Sequence, residues 1–259
     1  MFKIFQYSWM DVIRSRWTWA YTSFFVLLFS VLLFVGGGGE KAILGIMNGI
    51  LFLIPLISLV YAMMYFYQVR EYVEVLLAQP ISRKSVFAGF FMGVSSALCA
   101  AVLLGLAIPT FFGFTELWTF SAWFTLVGVS LFLTVLFTAL ALNVVLKYDN
   151  RLVGFGVGLL YWILLAVVYD GVVLVFLVLF EGYPMETPTL ILTVLNPIDL
   201  ARILLMFQLD YSALMGFTGA VFTDFFTSLQ GVSIILICFA LWLGVPIYRI
   251  LRRADRRDF

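Results

Sequence analysis

Residues 70–91 read REYVEVLLAQPISRKSVFAGFF, and the fold turns on what this charged stretch does between two long apolar blocks. At about 100° per residue on a helical wheel, Arg70, Glu71, Glu74 and Ala78 share one arc, while Tyr72, Val73, Val75, Leu76 and Leu77 cover the remainder. Pro80 cannot continue that helix and biases Gln79 away from the α region. Ser82 then offers its hydroxyl as the N-cap of the next helix. The pattern predicts a short amphipathic surface helix, a sharp turn, and re-entry into apolar sequence.

The blocks on either side set the class. Of 259 residues, 64% are hydrophobic and 11% charged, and the mean hydropathy is +1.12; soluble domains carry roughly 45–50% apolar and about 25% charged residues. A helix crossing about 30 Å of hydrocarbon needs about 20 mostly apolar residues. Six blocks meet that need: Trp17 to Gly36, Ala42 to Tyr67, Ala88 to Phe114, Thr119 to Leu146, Leu152 to Phe180 and Val232 to Ile250. Turn or charge signals separate them, at Gly36 to Gly39, around Pro80, at Thr115 and Glu116, and from Lys147 to Arg151. The expectation is an all-α integral membrane protein with six transmembrane helices, forming one domain over residues 1–259. The first block lacks a small-residue cleavage site and reads as a retained span.

Charge placement predicts orientation. With the amino terminus inside, the inner segments collect Lys3, Arg14, Arg16, Arg70, Arg83, Lys84, Lys147, Arg151, Arg249, Arg252, Arg253, Arg256 and Arg257, against Lys41 and Arg202 outside. Both termini are expected on the cytoplasmic side of a bacterial inner membrane, with RRADRRDF anchored beside anionic headgroups. Before the first span, Phe2, Phe5, Trp9, Val12 and Ile13 recur at helical spacing, which predicts an interfacial helix or, alternatively, a plain extension of the span.

Glu71 and Glu74 ask for a partner, because carboxylates beside a negative inner leaflet are unfavourable unless something cationic or proteinaceous faces them. The order of parts around LLAQPISRKSVFAGFFMG resembles the permease subunits of ABC-2 type transporters, in which a coupling helix lies between spans 2 and 3 and a similar LLxQPxSR phrase follows it. The resemblance implies that Arg70, Glu71, Glu74, Gln79 and Pro80 lie at or beside the contact with a separate ATPase.

A second patch lies between the last two spans. In NPIDLAR, residues 196–202, Asn196 can cap, Pro197 occupies the first helical position, and Asp199 faces the positive helix end. A helix is expected through Ile198, Ala201, Ile203, Leu204, Leu205 and Met206. Glu181, Glu186, Asp199, Asp210 and Asp224 outnumber Arg202 on this outer segment, which either caps and solubilises it or forms a docking platform. The NPxDxxR phrase is similar to that of the permease branch serving nitrous oxide reductase maturation. That resemblance implies two permease copies, a cytoplasmic ABC ATPase dimer that binds ATP and Mg, and a periplasmic β-helical protein on the outer face. It places Asn196, Pro197, Asp199 and Arg202 at the outer helix, in the service of copper-sulfur centre assembly.

Other residues carry less. Asp170 falls within the fifth block, where an ionisable group is a functional candidate. It either ends the span, with Gly171 to Phe180 forming a short re-entrant or interfacial helix, or lies in the interior as the coupling site of a secondary transporter or channel. Met47, Met63, Met64 and Met92 lack ligand spacing and read as packing. Pro55 and Pro109 are placed to kink spans, and Gly154, Gly156 and Gly158 to allow close helix approach. There is no His, the two cysteines Cys99 and Cys238 are far apart, and no phosphate-binding loop or catalytic signature occurs. A non-catalytic membrane subunit without cofactor or metal of its own follows.

Overall fold

The computed structural model describes residues 1–35, 40–113, 120–180, 183, 186–208 and 229–256. Gly36 to Gly39, Thr115, Glu116, Glu181, Asp210, Asp224 and Arg257 lie outside the described residues, as do the side chains of Lys41, Glu186 and Arg256.

Every described element is helical. In chain order these are α1 (Phe2–Arg14), α2 (Arg16–Val35), α3 (Glu40–Gln68), α4 (Arg70–Leu77), α5 (Arg83–Gly113), α6 (Phe120–Val145) and α7 (Arg151–Ile163). A five-residue π-helical turn (Leu164–Val168) leads into α8 (Tyr169–Leu179), followed by α9 (Glu186–Leu195), α10 (Pro197–Gln208) and α11 (Leu229–Arg256). Six of the helical stretches are long and apolar enough to cross a membrane: 16–35, 44–68, 83–111, 121–145, 151–179 and 233–254. They coincide with the six blocks of the sequence. Hydrocarbon offers no partner for a bare peptide group, so each span satisfies its backbone internally.

α3 and α6 form the centre of the bundle, with α2 and α5 packed around them. Phe25 and Phe29 of α2, Ile50, Ile54 and Met63 of α3, Phe90 and Leu98 of α5, and Leu133 and Phe137 of α6 are all buried. Ser130, Thr134 and Thr138 place three hydroxyls in this core, and each donates to the carbonyl four residues back, leaving no hydroxyl proton bare. Met47 and Met63 are buried in the core, and a Cβ at Gly158 would meet the Met63 sulfur, so these methionines pack rather than converge on a site.

α1 is a separate helix. Ser15 adopts an extended conformation (ψ 135°) that breaks it from the first span, and its hydroxyl accepts from the Trp17 amide at 3.3 Å. Val12 and Ser8 are buried, and α1 seats on α5 at two glycines: a Cβ at Gly89 would lie 3.0 Å from Ile4 Cβ, and one at Gly93 2.5 Å from Ser8 Cβ. The expected apolar face is therefore divided, with Val12 inside and Phe2 exposed. Of the glycines expected to admit close packing, Gly154 meets Tyr67 and Gly158 meets Met63 on α3, whereas Gly156 has nothing within 4 Å.

The fifth span departs from one of its two readings. It does not end at Asp170; α7, the π turn and α8 run through as one apolar stretch over 151–179. The segment after it holds two short helices, the second of them the one expected through Ile198 to Met206. α9 and α10 meet at 113°, a bent pair apolar enough to enter the membrane as a broken span or re-entrant hairpin, and α10 packs against α6 and α3. Ile198, Ala201 and Leu205 of α10 are buried as a result, while Leu200 and Ile203 pack with Ile235 of α11 in a second, smaller cluster.

Candidate functional site

Two places gather the residues singled out by sequence. The first is α4, at the end of the bundle where the basic residues collect. Val73 is buried and anchors the helix, while Glu71 and Glu74 stand exposed. Tyr72 and Val75 are 40% and 62% exposed, so the outward surface mixes carboxylates with apolar side chains instead of keeping all apolar residues on the inner face. Tyr72 turns toward α1, its ring centroid 5.0 Å from that of Tyr7.

Arg70 fixes the position of α4. Its Nη2 donates to Asp149 Oδ1 at 2.6 Å and its Nη1 to the Asp149 carbonyl at 3.2 Å, while Nε reaches Glu74 Oε1 at 3.4 Å. Next to Asp149, the Asn150 side chain caps α7 by accepting from the Leu152 and Val153 amides. One guanidinium thus ties the surface helix to the loop that opens the fifth span. Asp149 had no role in the sequence reading, since only the fold brings it 79 residues back to Arg70. Gln79 and Pro80 are exposed at the turn, and the Ser82 hydroxyl bonds Ser85 Oγ at 2.7 Å.

The second place lies at the opposite end. Asn196 Oδ1 accepts from the Ile198 amide at 3.0 Å, the expected cap, with Pro197 at the first helical position. Its Nδ2 donates to Asp199 Oδ2 at 3.0 Å and to the Leu165 carbonyl at 2.8 Å. That carbonyl is available because the Tyr169 amide bonds Leu164, five residues back, inside the π turn. Leu165 loses its ordinary helical donor, and Asn196 supplies a replacement.

Arg202 completes the cluster. Its Nη1 lies 2.9 Å from Asp199 Oδ1 and 2.9 Å from Asp170 Oδ2. Asp170, isolated in the sequence, is therefore paired with the one cation of the NPIDLAR motif. A guanidinium does not deprotonate in proteins, so two carboxylates and one fixed cation carry a net negative charge unless a proton is shared. The Tyr169 hydroxyl adds a bond to the Leu192 carbonyl at 2.5 Å, joining α8 to α9. Beside the cluster a cavity of about 370 Å³ opens, lined by Asn48, Phe52, Ala166, Ile198 and Arg202 among others. Asn196 and Asp199 are buried, so they hold the hairpin and do not present themselves outward.

No family model matches the chain. Over 278 aligned positions, covering 94% of each protein, it is 29% identical to the probable ABC transporter permease protein NosY of Stutzerimonas stutzeri. The chain resembles an ABC transporter permease. The likeness spans both α4 and the α9–α10 hairpin, and with six apolar helices it supports a multi-pass membrane subunit of such a transporter. In a permease-like chain of this kind, a surface helix at one end and a polar cluster at the other occupy the two ends of the same bundle, with the fifth span linking Asn150 to Asp170.

Proposed function

We propose that this chain is the membrane half of an ATP-driven machine in which a separate cytoplasmic ATPase dimer grips α4. The observation that carries the reading is the build of that helix. It is anchored by Val73, clamped by Arg70 to Asp149, and presents Glu71, Glu74, Tyr72 and Val75 outward. Movement imposed there would pass through the Asp149–Asn150 loop into the fifth span and reach the Asp170–Arg202 pair.

The basic end is then cytoplasmic, and a second copy faces the side on which Asn48 and Arg202 open to the cavity. Polar groups at membrane depth are costly against lipid, which favours protein on that side. The likeness to NosY supports a role in maturing the copper-sulfur centre of nitrous oxide reductase, with a periplasmic β-helical protein on the outer face. Asn196, Pro197, Asp199 and Arg202 would support that face from beneath. A secondary transporter using Asp170 draws less support, because the Asp170 carboxylate is held by Arg202, which it shares with Asp199.

The test is co-purification of a P-loop ATPase with the tagged chain. Glu71→Lys together with Glu74→Lys should reduce the bound ATPase at least ten-fold while the chain stays folded. The only described bond that the pair removes is the exposed Arg70–Glu74 contact, of a kind worth about 0.3–0.5 kcal/mol. Unchanged co-purification would remove α4 as the docking element.

A further inference from the structure

A third polar site gathers basic residues that the sequence assigned only to the inner surface, and only the fold brings them together. At the basic end, the last turn of α6 with the residues that follow it, the last turn of α7 and the last turns of α11 line a cavity of about 80 Å³, room for several waters or one phosphate group. Lys147, Arg249 and Arg253 line it together with Tyr148, Tyr161 and Asn143. Arg253 is set by the backbone: its Nη1 donates to the Asn143 carbonyl at 2.8 Å. Asn143 in turn is fixed by donating to the Ala139 and Pro246 carbonyls, both at 2.9 Å. Lys147 Nζ sits 5.0 Å from the centre of the Tyr148 ring.

Three cations thus converge, and among the described residues none of them is paired with a carboxylate. Like charges gathered in a partly enclosed site repel, and an anion between them relieves the repulsion. Beside the cavity along the same spans, Leu160 of α7, Leu164 of the π turn, and Leu241 and Val245 of α11 are exposed. A ligand with an anionic head and apolar tails matches both features.

We propose that this cavity binds the phosphate group of an anionic phospholipid, the acyl chains lying along α7 and α11. The proposal concerns α6, α7 and α11 and stands whether or not an ATPase docks on α4. A bound headgroup would join the carboxy-terminal helix to the start of the fifth span.

The experiment is native mass spectrometry of the full chain released from micelles containing equal phosphatidylglycerol and phosphatidylcholine, with and without inorganic phosphate. Retained phosphatidylglycerol in excess of phosphatidylcholine is the expected result. Each cation near an anionic surface contributes a factor of about five, so Lys147→Gln with Arg249→Gln should lower that retention about 25-fold. Displacement by millimolar phosphate would support the same chemistry with a free anion as the source, and resistance to it would assign the site to lipid. Equal retention of both lipids without phosphate binding overturns the proposal. So does an equal loss in Arg83→Gln with Lys84→Gln, which lowers charge at the same end without touching the cavity. The comparison of the two lipids, with and without phosphate, needs no variant, so it decides even if the Lys147 and Arg249 changes impair folding.

Discussion

Asn196 does three things with one side chain: it caps α10, braces Asp199 and supplies the donor that the π turn withholds from Leu165. Removing it leaves a carbonyl bare in apolar surroundings. Asn196→Ala should therefore cost about 1–3 kcal/mol, read as a fall in the thermal midpoint of the purified chain in detergent. Asn196→Asp keeps the cap oxygen but sets a second oxygen against the Leu165 carbonyl and the Asp199 carboxylate, so it should not recover that loss. At Arg202, truncation strands two carboxylates, so Arg202→Met should destabilise more than Asp170→Asn. Combined, the two changes should be less than additive, with a coupling of about 0.5–3 kcal/mol in a double-mutant cycle. Strict additivity would mean that the 2.9 Å contact contributes nothing.

Between helices, close approach is set by where a Cβ is missing. On α7, Gly154 faces Tyr67 of α3, whereas Gly156, two residues on, looks into open space. Gly154→Ala must push the Tyr67 phenol, which also donates to the Tyr148 carbonyl, out of place. A loss of about 1–3 kcal/mol is expected. Gly156→Ala meets nothing and gains helix propensity, so in the isolated chain it should be neutral or stabilising by about 0.5–1 kcal/mol. Thermal unfolding of the two single variants side by side decides the point. The pair of glycines on α5 was not visible as a contact in sequence, because Gly89 and Gly93 acquire meaning only when Ile4 and Ser8 of α1 lie across them.

Across the molecule, the positive charges at one end predict which side faces the cytoplasm. Single cysteines at Glu71 and Tyr183, both exposed and at opposite ends, give a direct reading. A membrane-impermeant maleimide should label Tyr183→Cys in intact spheroplasts and Glu71→Cys only after the membrane is opened; the reverse pattern would invert the orientation and move α4 away from any cytoplasmic ATPase. The six spans, the break at Pro80 and the cap at Asn196 were all legible beforehand, since each follows from apolar length, proline sterics or hydrogen bonding within a few residues. The partners were not. Asp170 meets Arg202 across 32 residues of chain and Arg70 meets Asp149 across 79, while Arg253 meets Asn143 across 110; such distances carry no local signal. The π turn is likewise a tertiary matter, stabilised by a side chain 31 residues away that donates to the Leu165 carbonyl. Sequence alone determined the six long spans and roughly where each begins, because the bilayer and the backbone impose those limits on every chain, whereas the α9–α10 hairpin emerged only from the fold. Only the packing of those helices decided which charges neutralise one another and which, at Lys147, Arg249 and Arg253, are left together for an anion to satisfy.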